Sequence, residues 1–194
     1  MDERFSFEYL SSMGNLTLAW RRAREGKTHK KGVIEFEKNL ERNLLDLHKE
    51  LVSGIYKPKL LTTFVLRDPK TRVISKSNFR DRVVHHALIN VIGLLFEKSF
   101  IYDSCANQIG KGNLFALNRF KKFQRKVTRN FTIGAFCLKA DIKHYFDEVN
   151  HFVLMNILKR KISDKNILNL INKINANFGT QRERERDNKR YASW

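Results

Sequence analysis

With 194 residues, 42% of them hydrophobic, the chain is long enough to bury a core of ordinary size in one domain, or in one domain with a smaller appendage. Its 38 Lys and Arg residues against 20 Asp and Glu give a formal net charge of +18, which favours a nucleic-acid partner over a merely soluble basic protein. No signal-peptide pattern or membrane-length apolar run is present, and Cys105 and Cys137 lack metal-ligand or disulfide spacing. These features predict a soluble cytoplasmic protein with buried thiols, no zinc and no membrane partner.

The chain opens with a basic arm over residues 17–31. Its charges surround Gly26 and are carried by Arg21, Arg22, Arg24, Lys27, Lys30 and Lys31. Such a run is typical of an arm that binds nucleic acid, or of a solvated helix end where nothing binds. From residue 33 to 52 apolar residues recur every three or four positions, which predicts an amphipathic helix ended by Gly54 as its C-cap. Residues 1–54 are interpreted as this arm and helix.

The next segment predicts a β-hairpin followed by a long helix. Two short runs of β-forming residues flank the turn signal Asp68-Pro69, and this places Lys70 and Arg72 at the hairpin tip or on its return strand. Residues 78–96 show one apolar helical face. Near the start of that helix lie Arg80, Asp81 and Arg82, and further along lie His85 and His86, which are interpreted as structural.

Beyond the long helix, a glycine-containing loop, "DSCANQIGKGN", leads into a helix rich in Phe and Lys over residues 113–127. The stretch from 131 to 142 is apolar and too short for a helix, so we expect a buried strand that ends at Asp141. Two further helices are predicted over 151–162 and 164–178. Ser163 or Asp164 is expected to be the N-cap of the second.

Three motifs, in this order and at this spacing, resemble one family. They are "PKTRVISKSNFRDRVVHHAL", "FEKSFIYDSCANQIGKGN" and "LKADIKHYFDEVNH". The chain resembles the N-terminal part of prokaryotic reverse transcriptases, the group of retron, group II intron and diversity-generating retroelement enzymes, and most closely the last subgroup. The resemblance implies an α+β, mostly helical fold with short antiparallel strands. Residues 55–130 would be the fingers of a right-handed polymerase and 131–178 the first part of its palm.

The resemblance implies a catalytic role for Asp141 as the first carboxylate of the palm. RNA-directed DNA synthesis by a two-metal mechanism needs carboxylates that hold two Mg²⁺ ions close together, and a strand end is a rigid place for one. The backbone carbonyl of Ile142 would be a further metal ligand. Without the surrounding motif, an Asp at a strand end is more often a turn or helix-cap residue.

Other positions of the motifs imply contacts with nucleotide and template. Lys70 and Arg72 would meet the nucleotide triphosphate, and Phe146 would lie under its sugar, although a packed core aromatic fits that position equally. Arg80 and Arg82 would reach the template backbone, or Arg82 would pair with a carboxylate. Lys111, between two glycines before a helix, would approach template phosphate, or would lie in a tight solvated loop.

The family's later Tyr-x-Asp-Asp motif does not occur in these 194 residues. The last segment, 179–194, contains "RERERDNKRYASW", and a shifted reading of its codons would restore a Gly-Met-Pro-Leu-Gly motif; we therefore interpret it as an aberrant basic tail, through a frameshift, or else as a genuine solvated tail. We expect the chain to be inactive alone. The expected partners are an RNA template, a DNA or RNA primer and an accessory protein. The alternatives are a non-catalytic RNA-binding module and a subunit completed in trans.

Overall fold

The computed structural model describes residues 3–69, 71–142 and 145–177. These residues form an α+β fold that is mostly helical with one two-stranded antiparallel sheet, which confirms the predicted fold class at this level. A short 3-10 turn, Glu3–Phe5, precedes the first helix. The helices and strands are α1 (Phe7–Ser11), α2 (Met13–Arg24), α3 (Lys31–Glu37), α4 (Leu40–Val52), β1 (Thr62–Leu66), β2 (Arg72–Lys76), α5 (Phe79–Glu97), α6 (Asn113–Val127), α7 (Tyr145–Glu148), α8 (His151–Lys159) and α9 (165–177).

The chain divides into two compact units. The first comprises Met1–Leu94 and His151–Trp194, and the second comprises Leu95–Asn150. The polymerase segments expected from the sequence, with boundaries after residues 54, 130 and 178, stay a prediction. Among the described helices none is both long enough and apolar enough to cross a membrane.

The core of the first unit is formed by helices from both of the chain segments that make up this unit. Helices α1, α2 and α4 pack on one another, and α5 contributes a buried face that matches the apolar face expected from the sequence. The fully buried side chains that define this core include Leu10, Leu16, Leu47, Leu51, Val83, Val84, Val91 and Ile167. Burial of each such side chain stabilises the fold by about 1.5–3 kcal/mol before chain entropy is counted. The first unit therefore has its own hydrophobic core.

The single helix expected over residues 33–52 is wrong in one respect, because the structure breaks it into α3 and α4. Asn39 leaves the helical region with φ −131° and ψ 50°. The Asn43 side-chain amide then donates to the carbonyl of Phe36 at 2.8 Å, while the Phe36 ring packs edge-on against Phe79 with centroids 5.4 Å apart. The C-cap prediction is wrong by one residue: Ser53 is the C-cap of α4, and Gly54 follows it in the left-handed conformation with φ +70°.

Helix α9 is joined to the N-terminus through its cap. Asp164 accepts hydrogen bonds through Oδ1 from the backbone N–H groups of Asn166 and Ile167, at 2.8 and 3.2 Å, which confirms Asp164 as the N-cap. Its other oxygen accepts from the backbone N–H of Phe7 at 2.7 Å. Further along α9, Lys173 donates to the carbonyl of Gly54 at 2.6 Å. These bonds fix α9 against α1 and the end of α4.

In the second unit the strand expected over residues 131–142 is wrong. Residues 134–142 have no regular secondary structure, and the three residues Arg129–Phe131 take positive φ, a turn conformation. A strand is stabilised by a hydrogen-bonded neighbour, and within the described residues the only sheet is β1 with β2. Phe136 and Leu138 are fully exposed. Of the two cysteines that the sequence led us to expect as buried thiols, Cys137 is exposed and Cys105 is half-buried.

Candidate nucleic-acid interface

The hairpin of β1 and β2 forms as predicted and has a basic residue, Arg72, next to its turn. Leu66 pairs with Arg72 next to the turn, and Thr62 pairs with Lys76 at the far end. Arg72 is exposed, and both strands are exposed on both faces apart from a half-buried Ile74. A two-stranded ribbon is marginally stable without support. Lys70 lies outside the described residues.

Arg80 lies at the centre of a polar network at the start of α5. Its guanidinium, 15% exposed, pairs with the carboxylate of Glu50 and with Asp81 at 3.3 Å, and it stacks 5.2 Å from the centroid of the Tyr56 ring. Asp81 is 1% exposed and accepts hydrogen bonds from the Tyr56 hydroxyl and from the backbone N–H of Lys59, both at 2.9 Å. Burial, followed by the charge of Asp81, raises the pKa of the Tyr56 phenol above its usual range.

This network anchors the segment before the hairpin onto α5. Tyr56 and the backbone N–H of Lys59, both in the loop after α4, donate to the buried Asp81 carboxylate, whereas Glu50 of α4 pairs with the neighbouring Arg80. Nothing in the sequence indicated this role of Asp81 beyond an acidic residue beside an apolar helical face. The template contact expected of Arg80 stays a prediction, for a guanidinium that already has two carboxylate partners.

The basic arm is folded into secondary structure. Residues 17–24 belong to α2, a turn at Gly26 with φ +66° follows, and α3 begins at Lys31. Arg24 pairs with Glu37 at 2.6 Å, and Trp20 donates to the same carboxylate at 3.0 Å. Lys31 pairs with Glu35 at 3.8 Å, so two of the six charges of the arm have a carboxylate partner. Arg82, further along the chain on α5, is half-buried.

In the second unit Lys111 folds back onto the loop that carries it. Its amine donates to the carbonyl of Tyr102 at 2.7 Å and lies 5.0 Å from the centroid of the Tyr102 ring. Beside it, Arg119 of α6 stacks on the same ring at 4.9 Å and pairs with Asp103, whose pKa is lowered chiefly by the hydrogen bond from Arg119. The template contact of Lys111 stays a prediction, and in this structure the amine braces the loop.

Asp141 and Ile142 are exposed and lie in the irregular segment of the second unit. Phe146 belongs to α7. Among the described residues no group of three or more His, Cys, Asp or Glu side chains is arranged to hold a metal ion. One carboxylate does not make a two-metal site, because both ions need shared carboxylate ligands. The described residues therefore do not fit a pair of Mg²⁺ ions by themselves.

The structure distributes the expected site residues between the two units. Arg72, Arg80 and Arg82 belong to the first, whereas Lys111, Asp141, Ile142 and Phe146 belong to the second. In the first unit the three arginines follow one another along the hairpin and the first turns of α5, which the motif spacing had indicated. Glu50 and Tyr56 were missed, because their partnership with Arg80 and Asp81 is formed by tertiary packing.

Comparisons with known proteins point to proteins associated with introns. No family model matches the sequence. Protein YkfC of Escherichia coli is 25% identical over 166 residues, which cover 84% of this chain and 43% of that protein. Nuclear intron maturase 1, mitochondrial, of Arabidopsis thaliana is 29% identical over 48% of this chain and 12% of its own length. The COX1/OXI3 intron 1 protein of Saccharomyces cerevisiae is 28% identical over 68% of this chain and 16% of its own length.

The chain spans less than half the length of each of these relatives. Two of the three are named for introns, and one of them is named a maturase. This similarity supports the wider resemblance, which includes intron-encoded enzymes related to reverse transcriptases. It gives no support to the finer resemblance to the diversity-generating subgroup.

Proposed function

We propose that this chain is the RNA-binding front part of a protein related to reverse transcriptases, with the first unit supplying fingers that grip an RNA strand. The observation that carries the proposal is the structure of "PKTRVISKSNFRDRVVHHAL", the first of the three motifs on which the resemblance rests. That motif folds as an exposed hairpin with Arg72 beside its turn, and it continues directly into the long, well-anchored α5. The net charge of +18 adds a strong, salt-sensitive attraction for a phosphate backbone.

The similarity to an intron maturase suggests the nature of the strand. A maturase acts with an intron, so a structured RNA is the partner we propose for this chain as well. Arg82, expected at the template backbone, and Arg72, expected at the nucleotide triphosphate in the complete enzyme, are the side chains that we propose contact phosphate oxygens of the RNA in this chain, because a guanidinium makes paired, charge-assisted hydrogen bonds to them. Lys70 and Lys111 remain candidates from the motif alone.

For catalysis we propose that Asp141 is the first of several carboxylates in the complete enzyme, which would use Mg²⁺ for RNA-templated DNA synthesis. The described residues do not by themselves fit that pair of ions, so no chemical step is assigned to them. We expect the 194-residue chain on its own to extend no primer. A second polypeptide that carries the remaining carboxylates would restore synthesis if the enzyme is completed in trans.

The first experiment measures binding of the purified chain to a labelled single-stranded RNA as salt is varied. We expect the logarithm of the binding constant to fall linearly with the logarithm of salt concentration, with a slope of about −0.7 for each phosphate contacted. Asp141→Ala should bind RNA as the parent does, whereas Arg72→Gln should bind more weakly. Binding that is absent, or that does not change with salt, would contradict the proposal.

A primer-extension assay in Mg²⁺ tests the catalytic half separately. Template-dependent synthesis by the chain alone, lost in Asp141→Ala, would overturn the expectation of inactivity. RNA binding without synthesis, unaffected by mixing with other polypeptides, would favour the second candidate, a non-catalytic RNA-binding module. The salt-dependent first experiment supports both candidates, and this second one separates them.

A further inference from the structure

The first unit carries a group of four basic side chains, of which only Arg82 was expected to contact the template. Arg22 lies near the end of α2, Lys27 in the turn that follows, and Arg82 and His86 on α5. We call these four residues the α2–α5 basic cluster. Arg82 and His86 are four residues apart and therefore lie on the same side of α5. His86 was interpreted from the sequence as structural only.

A chain of hydrogen bonds holds Arg22 against this side of α5. Asn15 of α2 is buried, and its amide donates to one carbonyl of α1 and one of α5, at 2.9 and 3.1 Å. The amide of Asn90 donates to the Asn15 side-chain oxygen at 2.8 Å, and Arg22 Nη1 donates to the Asn90 side-chain oxygen. Asn90 follows His86 by one helical turn. The Arg22 guanidinium is thus positioned from the core, while most of its N–H groups stay available.

The charges around His86 have one sign. Burial lowers the pKa of the His86 imidazole, and Lys27, Arg22 and Arg82 lower it further. His85 is adjacent on α5, where burial lowers the pKa of its imidazole, the Asp81 carboxylate raises it, and His86 and Arg82 lower it. In the part of the chain that the structure describes, no carboxylate forms an ion pair with Arg22, Lys27 or Arg82. Like charges held together without a counter-charge favour the binding of an anion.

We propose that the α2–α5 basic cluster is a phosphate-binding site for the RNA backbone, and that His86 takes up a proton when the phosphate binds. The inference rests on the proposed function and specifies one contact point of the RNA. Arg22 and Arg82 supply guanidinium donors, Lys27 supplies a point charge, and the protonated imidazole supplies one more N–H. A bound phosphate oxygen favours the imidazolium, so RNA binds more tightly as the pH falls through the range in which His86 titrates.

The test compares two double variants that remove equal charge from the same arm. Arg22→Gln with Lys27→Gln takes two cations from the cluster. Arg21→Gln with Lys30→Gln takes two exposed cations that are not among the charges acting on His86. With the labelled single-stranded RNA, we expect the first double variant to reduce the magnitude of the salt slope by about 0.7, the value for one lost phosphate contact. The second should leave the slope close to that of the parent.

A spectroscopic readout isolates His86 itself. The ring protons of His86 are followed by NMR as the pH is lowered, with and without the RNA, in the parent and in both double variants. RNA should raise the pH at which His86 titrates in the parent and in the Arg21/Lys30 variant, but not in the Arg22/Lys27 variant. Circular dichroism verifies that each variant is folded, and Lys27→Gln alone serves if the Arg22 change disturbs packing.

The outcomes separate this inference from the proposed function. If the parent chain does not bind RNA in a salt-dependent way, both fail. If the parent binds RNA, but the two double variants weaken binding equally and RNA leaves the titration of His86 unchanged, the cluster is not a phosphate site and the proposed function stands.

Discussion

Asp81 shows how a single side chain connects sequence, packing and function in this protein. Its carboxylate is buried at the start of α5 and accepts hydrogen bonds from a tyrosine hydroxyl and a backbone N–H. The same carboxylate lies beside Arg80, one of the residues expected to contact template. A buried carboxylate is stable only where such partners are present. Asp81 therefore orients the base of the hairpin, and any RNA contact made there depends on it.

Replacing this carboxylate should cost much more stability than replacing an exposed one. Asp81→Ala leaves Tyr56 and the Lys59 N–H without their acceptor, and removes one partner of Arg80. We expect the free energy of unfolding, measured by urea denaturation, to fall by about 2–4 kcal/mol. Asp46→Ala on exposed α4 surface is the matched control, with an expected change within about 0.5 kcal/mol. Equal effects from the two substitutions would contradict the role given to Asp81.

The histidines of α5 should make stability depend on pH. Burial lowers the pKa of His85 below its usual value of 6.5. The unfolded chain therefore binds a proton at a higher pH than the folded chain does, so this contribution is complete above pH 6.5 and is lost as the pH falls towards the folded pKa. We expect the urea concentration at the unfolding midpoint to decrease when the pH is lowered. In the His85→Asn variant this midpoint should decrease less than in the parent. A variant with the same pH profile as the parent would show that His85 does not contribute.

At the scale of elements, α4 has one buried side and one exposed side, and leucines only two positions apart in the sequence lie on different sides. Leu47 is fully buried and Leu45 is 41% exposed on the same helix. Leu47→Ala should lower the free energy of unfolding by about 2–5 kcal/mol, because a cavity replaces packed atoms. Leu45→Ala should change it by less than about 1 kcal/mol. Thermal unfolding followed by circular dichroism measures both, and similar losses would mean that α4 is packed differently.

Local sequence signals predicted the elements that depend on nearest neighbours along the chain. The Asp68-Pro69 turn gave the hairpin, and the glycine before Asn113 gave the start of α6 at the residue observed. The break at Asn39 was not predictable, because it accompanies the packing of Phe36 against Phe79, a residue far away in the sequence. The expected strand before Asp141 failed for a related reason, since apolar composition cannot supply the neighbouring strand.

The candidate site divides in the same way. Motif spacing predicted that Arg72, Arg80 and Arg82 lie along one hairpin and helix start. It did not predict that Arg80 would be paired with Glu50, nor that Arg22 of α2 would be held by Asn90 beside His86. Those partnerships join residues far apart in the chain, and no local period encodes them. The residues of the second unit, including Asp141, have motif support alone.

At the scale of the whole molecule, the two units differ in how well they protect the backbone. In the second unit, residues 134–142 have no regular structure and expose Phe136 and Leu138. In limited proteolysis with chymotrypsin we expect the earliest cuts at these two positions, because a protease needs an accessible, extended backbone. Mass spectrometry of the first fragments identifies the sites. Initial cleavage inside α4 or the first half of α5 would contradict this order of stability.

The first unit is also discontinuous in sequence, and this has a consequence during translation. The hydrogen-bond partners of Phe7 and Gly54 are Asp164 and Lys173, which leave the ribosome only after the whole second unit has been synthesised. Domains usually fold from the N-terminus as they emerge. Here α1 and α4 must wait, with the surface that α9 covers still open, until the last of the described helices is made. The earliest synthesised part of the chain is thus among the last to be completed.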